Sequence, residues 1–259
     1  MKFVYAVVLA SLQLSCATLS QINLLSTQDE IEIGRKAAVE VEASLDMLED
    51  REVTAYVQDL GRRLAEQASR QDVAYSFKVV DTHDVNAFAL PGGWLYVNAG
   101  LIAAAETESE LAGVMAHEIG HVVGRHGARQ ISARYGLAVL LEIVGGGPNG
   151  DSVARQIAGE FAGLGAGLTL LKYGHDMERE ADAVAVEDTH AAGIDPSGIA
   201  AFFEKLMAMQ KSQASGAEVL FSTHPPSQER IQNVMADVAK LPETSGLRKD
   251  IADVPADTG

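Results

Sequence analysis

The sequence predicts an α+β fold, mainly helical, with a small antiparallel sheet set among about seven or eight helices. Three observations point there. Apolar residues recur at steps of three and four along most of the chain, while only two short stretches are β-prone. Aromatics make up just 5% of the residues and Ala, Gly, Leu and Val are plentiful, which suits close-packed helices better than a β-sandwich. With 47% hydrophobic and 22% charged residues in 259, the chain can build a core, and a disordered chain is excluded.

The first residues carry Lys2, an apolar run from Phe3 to about Leu12, and small residues before Cys16. That is the layout of a secretory signal, too short and wrongly flanked to span a bilayer. Cys16 stands where a bacterial lipoprotein signal places its acylated residue, although Gln13 occupies a position that usually holds Leu. The alternatives are an ordinary signal cut near Ala17 that leaves a soluble secreted chain, or an N-terminal anchor left uncut. The expected organisation is a lipoprotein-type signal over 1–15, a linker over 16–26, one domain over 27–240 and a flexible tail over 241–259. One cysteine excludes an internal disulfide and every Cys-based zinc motif, so a metal here must be held by His and carboxylates.

Residues 28–46 read as a helix after a cap at Ser26 or Thr27. Residues 51–68 follow as an amphipathic helix marked by Val53, Tyr56, Val57, Leu60 and Leu64. YSFKVVD (75–81) is β-prone, and AFAL-PGG-WLYVN (87–98) reads as two strands joined by a Pro-Gly-Gly turn. Thr107 followed by Glu110 is a capping box that opens the next helix, LAGVMAHEIGHVVGRHGARQ. Further helices are expected at about 128–143, 152–171, 176–192, 197–210 and 226–239. Residues 144–152, VGGGPNGDS, form a Gly-rich stretch without the Lys-Ser/Thr of a phosphate loop, and read as a helix connection. The balance of 20 basic against 36 acidic residues, net −16, argues against a nucleic-acid partner.

The chemistry concentrates in His117-Glu118-Ile119-Gly120-His121. Two His four apart on a helix project from one face and can grip one metal ion. Glu118 lies about 100° around the helix, beside the metal, where it can take a proton from an attacking water. Leu111, Val114, Met115 and Val122 supply the apolar face that buries this helix. The alternative is a pair of polar His with no ion.

A third ligand is required. His126 would supply it in HExxHxxGxxH, but that pattern needs His at position 127, which is Gly127. His126 therefore reads as a structural, hydrogen-bonding His. Downstream, Glu178 and Asp182 in EREAD are spaced to face one side of a helix, as are other acidic pairs, and spacing alone does not choose among them.

HEIGH, EREAD and STHPP (Ser222 to Pro226) together resemble the HtpX and CAAX-prenyl-protease family of gluzincin metallopeptidases over about residues 27–240. NAFALPGGWLYVNAGLI (86–102) is similar to the strand-turn-strand segment that precedes the active-site helix there. The resemblance implies a zincin-type domain holding one Zn2+ per chain, with Glu178 completing a His117-His121-Glu178 site and Asp182 orienting a ligand His, His117 first. It also implies that His224 can approach the zinc and either block it or assist the reaction; the alternative is a His capping the helix after Pro226. The several spanning helices of the membrane-embedded members have no counterpart in this sequence. His175 replaces a usual Arg; three residues before Glu178, it could offer an alternative ligand but reads first as a neighbour of the charged cluster, while His83 and His190 read as surface residues.

A water-activating zinc with a glutamate base implies peptide hydrolysis, and an exposed edge strand beside the active-site helix could hold an extended chain by strand addition. The expected substrates are unfolded or misassembled envelope proteins. The expected place is the periplasm of a Gram-negative bacterium, lipid-anchored to the outer membrane through Cys16. A latent, chaperone-like factor whose zinc is closed off by His224 is the competing function. A purely structural metal protein would have no use for Glu118.

Overall fold

The computed structural model describes residues 23–134, 172–212, 215–243 and 245–250. The signal, Cys16, the Gly-rich stretch 144–152 and the helix expected over 152–171 lie outside the described residues, as does 135–143 of the helix expected to begin near 128. The described elements run α1 (Thr27–Ser44), α2 (Arg51–Ala65), β1 (Ser76–Val80), β2 (Ala87–Leu90), β3 (Trp94–Asn98), α3 (Ala99–Ala104) and α4 (Glu108–Val123). After a helical stretch at 126–134 come α5 (His175–Ala191), α6 (Gly198–Ser212), α7 (Glu218–Thr223) and α8 (Gln228–Val238). The short α3 and α7 have too few residues to show a helical period and were not foreseen.

The sheet lies between two helical layers, and strict alternation along each strand divides its side chains. Phe77, Val79, Ala87, Ala89, Leu95 and Val97 face α2, α4 and α6 in the main core, with Leu60, Met115, Ile119 and Phe202 among their company. Phe88, Leu90 and Tyr96 face the other way, onto Ile33, Ala37 and Val41 of α1 and Ala128 and Ile131 of the 126–134 stretch. Ser26 caps α1 through a capping box with Asp29. At α4, Thr107 accepts from the Glu110 N–H, but the Glu110 carboxylate reaches back one residue further, to Glu106 N.

Three expectations change. The sheet is mixed rather than antiparallel: its order is β1-β3-β2, with β3 antiparallel to β2 and parallel to β1. The connection 81–86 carries the chain across the sheet, its backbone held by Gly100 N–H on Thr82 O (2.8 Å) and Val85 N–H on Gly216 O (2.6 Å). β2 thereby becomes the edge strand nearest α4, and it is not exposed: its residues are 1–4% accessible. Residues 23–26 are packed rather than a linker, since Leu25 is buried and Leu24 N–H donates to Ser132 Oγ.

Residues 245–250 likewise do not behave as a flexible tail. Arg248 pairs with the α5–α6 turn at Gly193 and Asp195, and Lys249 O accepts from Ser109 N in the first turn of α4. Helix starts leave such N–H groups without intrahelical partners, and this strand-like piece uses one.

The site is set by the packing of α4 on α5, the most extensive helix contact described. At their crossing Gly120 carries no side chain, and a Cβ there would stand 2.8 Å from Ala181 O and 2.9 Å from Ala181 Cα. Gly120→Val should therefore push the two helices apart and lower stability by about 1–3 kcal/mol, as overpacking does. Urea denaturation measures it, and an unchanged midpoint would contradict the close crossing.

Candidate metal centre

α4 is buried along its length, so its polar residues from His117 to His121 sit in the interior and must find partners there. Facing them is α5, which begins at His175 and presents Glu178 one turn in and Asp182 one turn further, both buried. The loop after α7 adds His224, the C-cap residue of that short helix; Ser227, not His224, caps α8.

Donor atoms of His117, His121, Glu178 and His224 lie within 4.8 Å of one another. His117 Nε2 stands 3.0 Å from His121 Nε2 and 3.3 Å from His224 Nδ1. Glu178 Oε1 is 3.0 Å from His224 Nδ1 and 3.5 Å from His121 Nε2, and Glu178 Oε2 is 3.5 Å from His117 Nε2. Donors bound at about 2.0–2.1 Å to one tetrahedral zinc stand about 3.4 Å apart, so the spacing and the three-imidazole, one-carboxylate chemistry fit that ion. Glu118 stays outside this set. Its Oε1 is buried with no hydrogen-bond partner, 3.6 Å from His224 Nε2.

A further ring of residues holds these donors. His117 Nδ1 is 2.9 Å from Asp182 Oδ1. Arg230 on α8 donates to both Asp182 oxygens, at 2.9 and 2.7 Å, and lies 2.8 Å from Glu178 Oε2, with its guanidinium 4.2 Å from the Phe203 ring centre. Tyr173 stacks on the His121 ring at 4.0 Å. His126 stays out of the donor cluster and meets His121 from behind. His175 is exposed at the start of α5 and His83 is exposed, while His190 is partly exposed and meets Glu243 O at 3.0 Å.

Sequence reasoning missed Arg230 and Tyr173. Arg230 left a trace: it stands beside Ile231 and one turn before Val234, on the apolar face of α8, where an unpaired cation would be costly. Tyr173 belongs to no periodic segment and left none.

Burial penalises every charge here, and the partners decide the outcome. It would push His117 down, but Asp182 and Glu178 outweigh it and raise His117 to about 9. Burial would lift Glu178 and Asp182, yet His224 and His117 hold Glu178 below the carboxylate range, and Arg230 with His117 does the same for Asp182. Glu118, with less compensation, is lifted by burial. His121 is pushed well down, by burial first and then by His117.

The chain matches the model of peptidase family M48 over residues 51–238. It is 29% identical over 218 residues to the β-barrel assembly-enhancing protease of Escherichia coli K12, covering 81% of this chain and 44% of that protein. It is 30% identical over 224 residues to metalloprotease LoiP, covering 83% of this chain and 79% of the relative, and 27% identical over 221 to metalloprotease YcaL, covering 83% and 82%, both from the same organism. The chain thus spans under half the length of the β-barrel assembly-enhancing proteases it matches.

Two outcomes follow from the buried charges. In the metal-free protein the protonated His117 contributes stability that is complete below about pH 6.5 and is lost as pH rises through about 9. A zinc ion held by His117 would have to displace that proton, so zinc affinity should climb between pH 6.5 and 9, and a flat chelator-competition profile would contradict it. Arg230→Met leaves two buried carboxylates short of a partner and should cost the metal-free protein about 3–5 kcal/mol in urea denaturation.

Proposed function

The chain belongs to peptidase family M48 and carries its metalloprotease domain, and on that premise we propose that it is a zinc-dependent endopeptidase for unfolded or misassembled cell-envelope proteins. The observation that carries this reading is a tetrahedrally spaced donor cluster with a buried, partner-short Glu118 at its side. His117, His121 and Glu178 would hold the ion. Zinc so held lowers the pKa of a water and polarises a scissile carbonyl.

The remaining roles fall to the chain's own groups. Glu118, lifted in pKa by burial, is suited to take the proton of an attacking water and hand it to the departing amine. Asp182 Oδ1, 2.9 Å from His117 Nδ1, pairs with that side of the ring and so keeps the other ring nitrogen free, and Arg230 holds Asp182 in place by two hydrogen bonds. β2, the edge strand against α4, is covered, so aligning an extended substrate backbone there, a mode that reads little sequence and needs an unfolded segment, requires that edge to open. No helix among the described residues is long and apolar enough to cross a membrane; attachment through a lipid on Cys16, in the periplasm at the outer membrane, is part of the proposal. So are the substrates, toward which the name of the assembly-enhancing relatives points.

One observation favours a second reading. His224 Nδ1 fills the fourth donor position, within 3.3 Å of His117 Nε2. A chain kept in that arrangement would be a latent, chaperone-like quality-control factor, because a catalytic zinc needs an open position.

Casein cleavage by the purified protein, with zinc content recorded, separates the two. Glu118→Gln should keep one zinc and lose activity by about 10²–10⁴-fold. His224→Ala should cleave faster than wild type. Inert wild type and His224→Ala with zinc bound would sink the general-protease reading, and absence of zinc would sink the ligand assignment.

A further inference from the structure

The back of His121 is held by a second imidazole. His121 Nδ1 and His126 Nδ1 are 2.7 Å apart, both rings are buried, and their planes meet at 70°. Two facing ring nitrogens share one proton, so one ring donates and the other accepts. On the far side, His126 Nε2 lies 3.1 Å from Glu180 Oε2, which also accepts from Arg129 at 2.9 Å.

These contacts admit one consistent proton arrangement when His121 ligates metal through Nε2. A neutral His121 with its Nε2 lone pair committed carries its proton on Nδ1 and is therefore the donor. His126 must then offer a bare Nδ1, which places its own proton on Nε2, and the group there is the acceptor-only Glu180 carboxylate. Were His126 reversed, its Nε2 lone pair would face a carboxylate, and His121 would hold its proton where the metal has to be.

The local backbone is shaped for this contact. α4 ends at Gly124, where a Cβ would stand 2.3 Å from His126 Nε2. Arg125 follows in the left-handed region at φ 54°, turning the chain so that His126 folds back beneath His121. Arg125 itself is fixed by Glu30 and by Leu25 O.

We propose that His126 is a positioning residue of the metal centre: anchored on Glu180, it accepts the Nδ1 proton of His121 and thereby fixes the tautomer that presents His121 Nε2 to the ion. The inference rests on His121 being a ligand. It gives EREAD a divided labour, with Glu178 on the ion, Asp182 behind His117, and Glu180 behind His121 through one intervening ring.

The test uses the whole protein and chelator competition for zinc. His126→Phe keeps bulk but removes the acceptor, and should weaken zinc binding about 10–100-fold. His126→Asn keeps an oxygen near the Nδ1 place and should recover most of that loss, which a purely space-filling role would not predict. Glu180→Ala, at a half-exposed position, should weaken binding less than His126→Phe while leaving thermal stability near wild type. Nitrogen-15 NMR of the histidine-labelled, zinc-loaded wild type is independent of any variant's folding, and should find His126 protonated on Nε2 and bare on Nδ1. A proton on His126 Nδ1, or undiminished affinity in a folded His126→Phe, overturns the proposal. Zinc lost in His121→Ala but held unchanged by His126→Phe sinks this inference alone, whereas a wild type that binds no zinc sinks it together with the ligand assignment.

Discussion

Three carboxylates, three imidazoles and a guanidinium share a small volume from which water is largely excluded, and their mutual neutralisation is the constraint on which the rest of the molecule depends. Each group alone would be costly to bury. Together they form a chain of contacts from Arg230 through Asp182 to His117, and on to Glu178 and His224. Glu118 stands at the margin of this network with one oxygen unpaired, and of its three carboxylates it is the one that burial leaves raised. The group left incompletely satisfied is the one best suited to exchange protons.

Helix geometry does the positioning. α4 supplies two candidate ligands and the acid between them from within a single turn or so, and α5 supplies the facing carboxylates with the same periodicity. Because Gly120 lets these helices touch backbone to backbone, the distances between donors are set by two rigid rods rather than by loops. His224 alone arrives from a loop, between α7 and α8. It is the donor whose departure would leave the other three in place.

Much of this was legible in the residues. HExxH spacing, the apolar stripe of α4 and the Pro-Gly-Gly turn each depend on local periodicity or turn chemistry, which one sequence displays directly. Choosing Glu178 among several acidic residues was not a matter of spacing; it came from the combined likeness of HEIGH, EREAD and STHPP. The parallel pairing of β1 with β3 was hidden, because strand order depends on where a connection finds backbone partners far away in sequence, here Gly100 and Gly216. The docking of residues 245–250 was hidden for the same reason: nothing in Arg248 or Lys249 says that the turn after α5 and the start of α4 offer them bonds.

The clamp at Glu30 has a consequence for how the domain is cut. α1 precedes the stretch that matches the family model, yet its buried Glu30 pairs with both Arg70 and Arg125, and Arg70 also donates to Val122 O at the end of α4. Ile33, Ala37 and Val41 from the same helix cover the second face of the sheet. A fragment trimmed to the family boundary at residue 51 would strip that face bare, deprive Arg70 and Arg125 of their shared buried carboxylate beside α4, and offer an apolar sheet to its neighbours. The smallest piece worth expressing therefore includes Asn23, well ahead of residue 51, where the match to the family model begins.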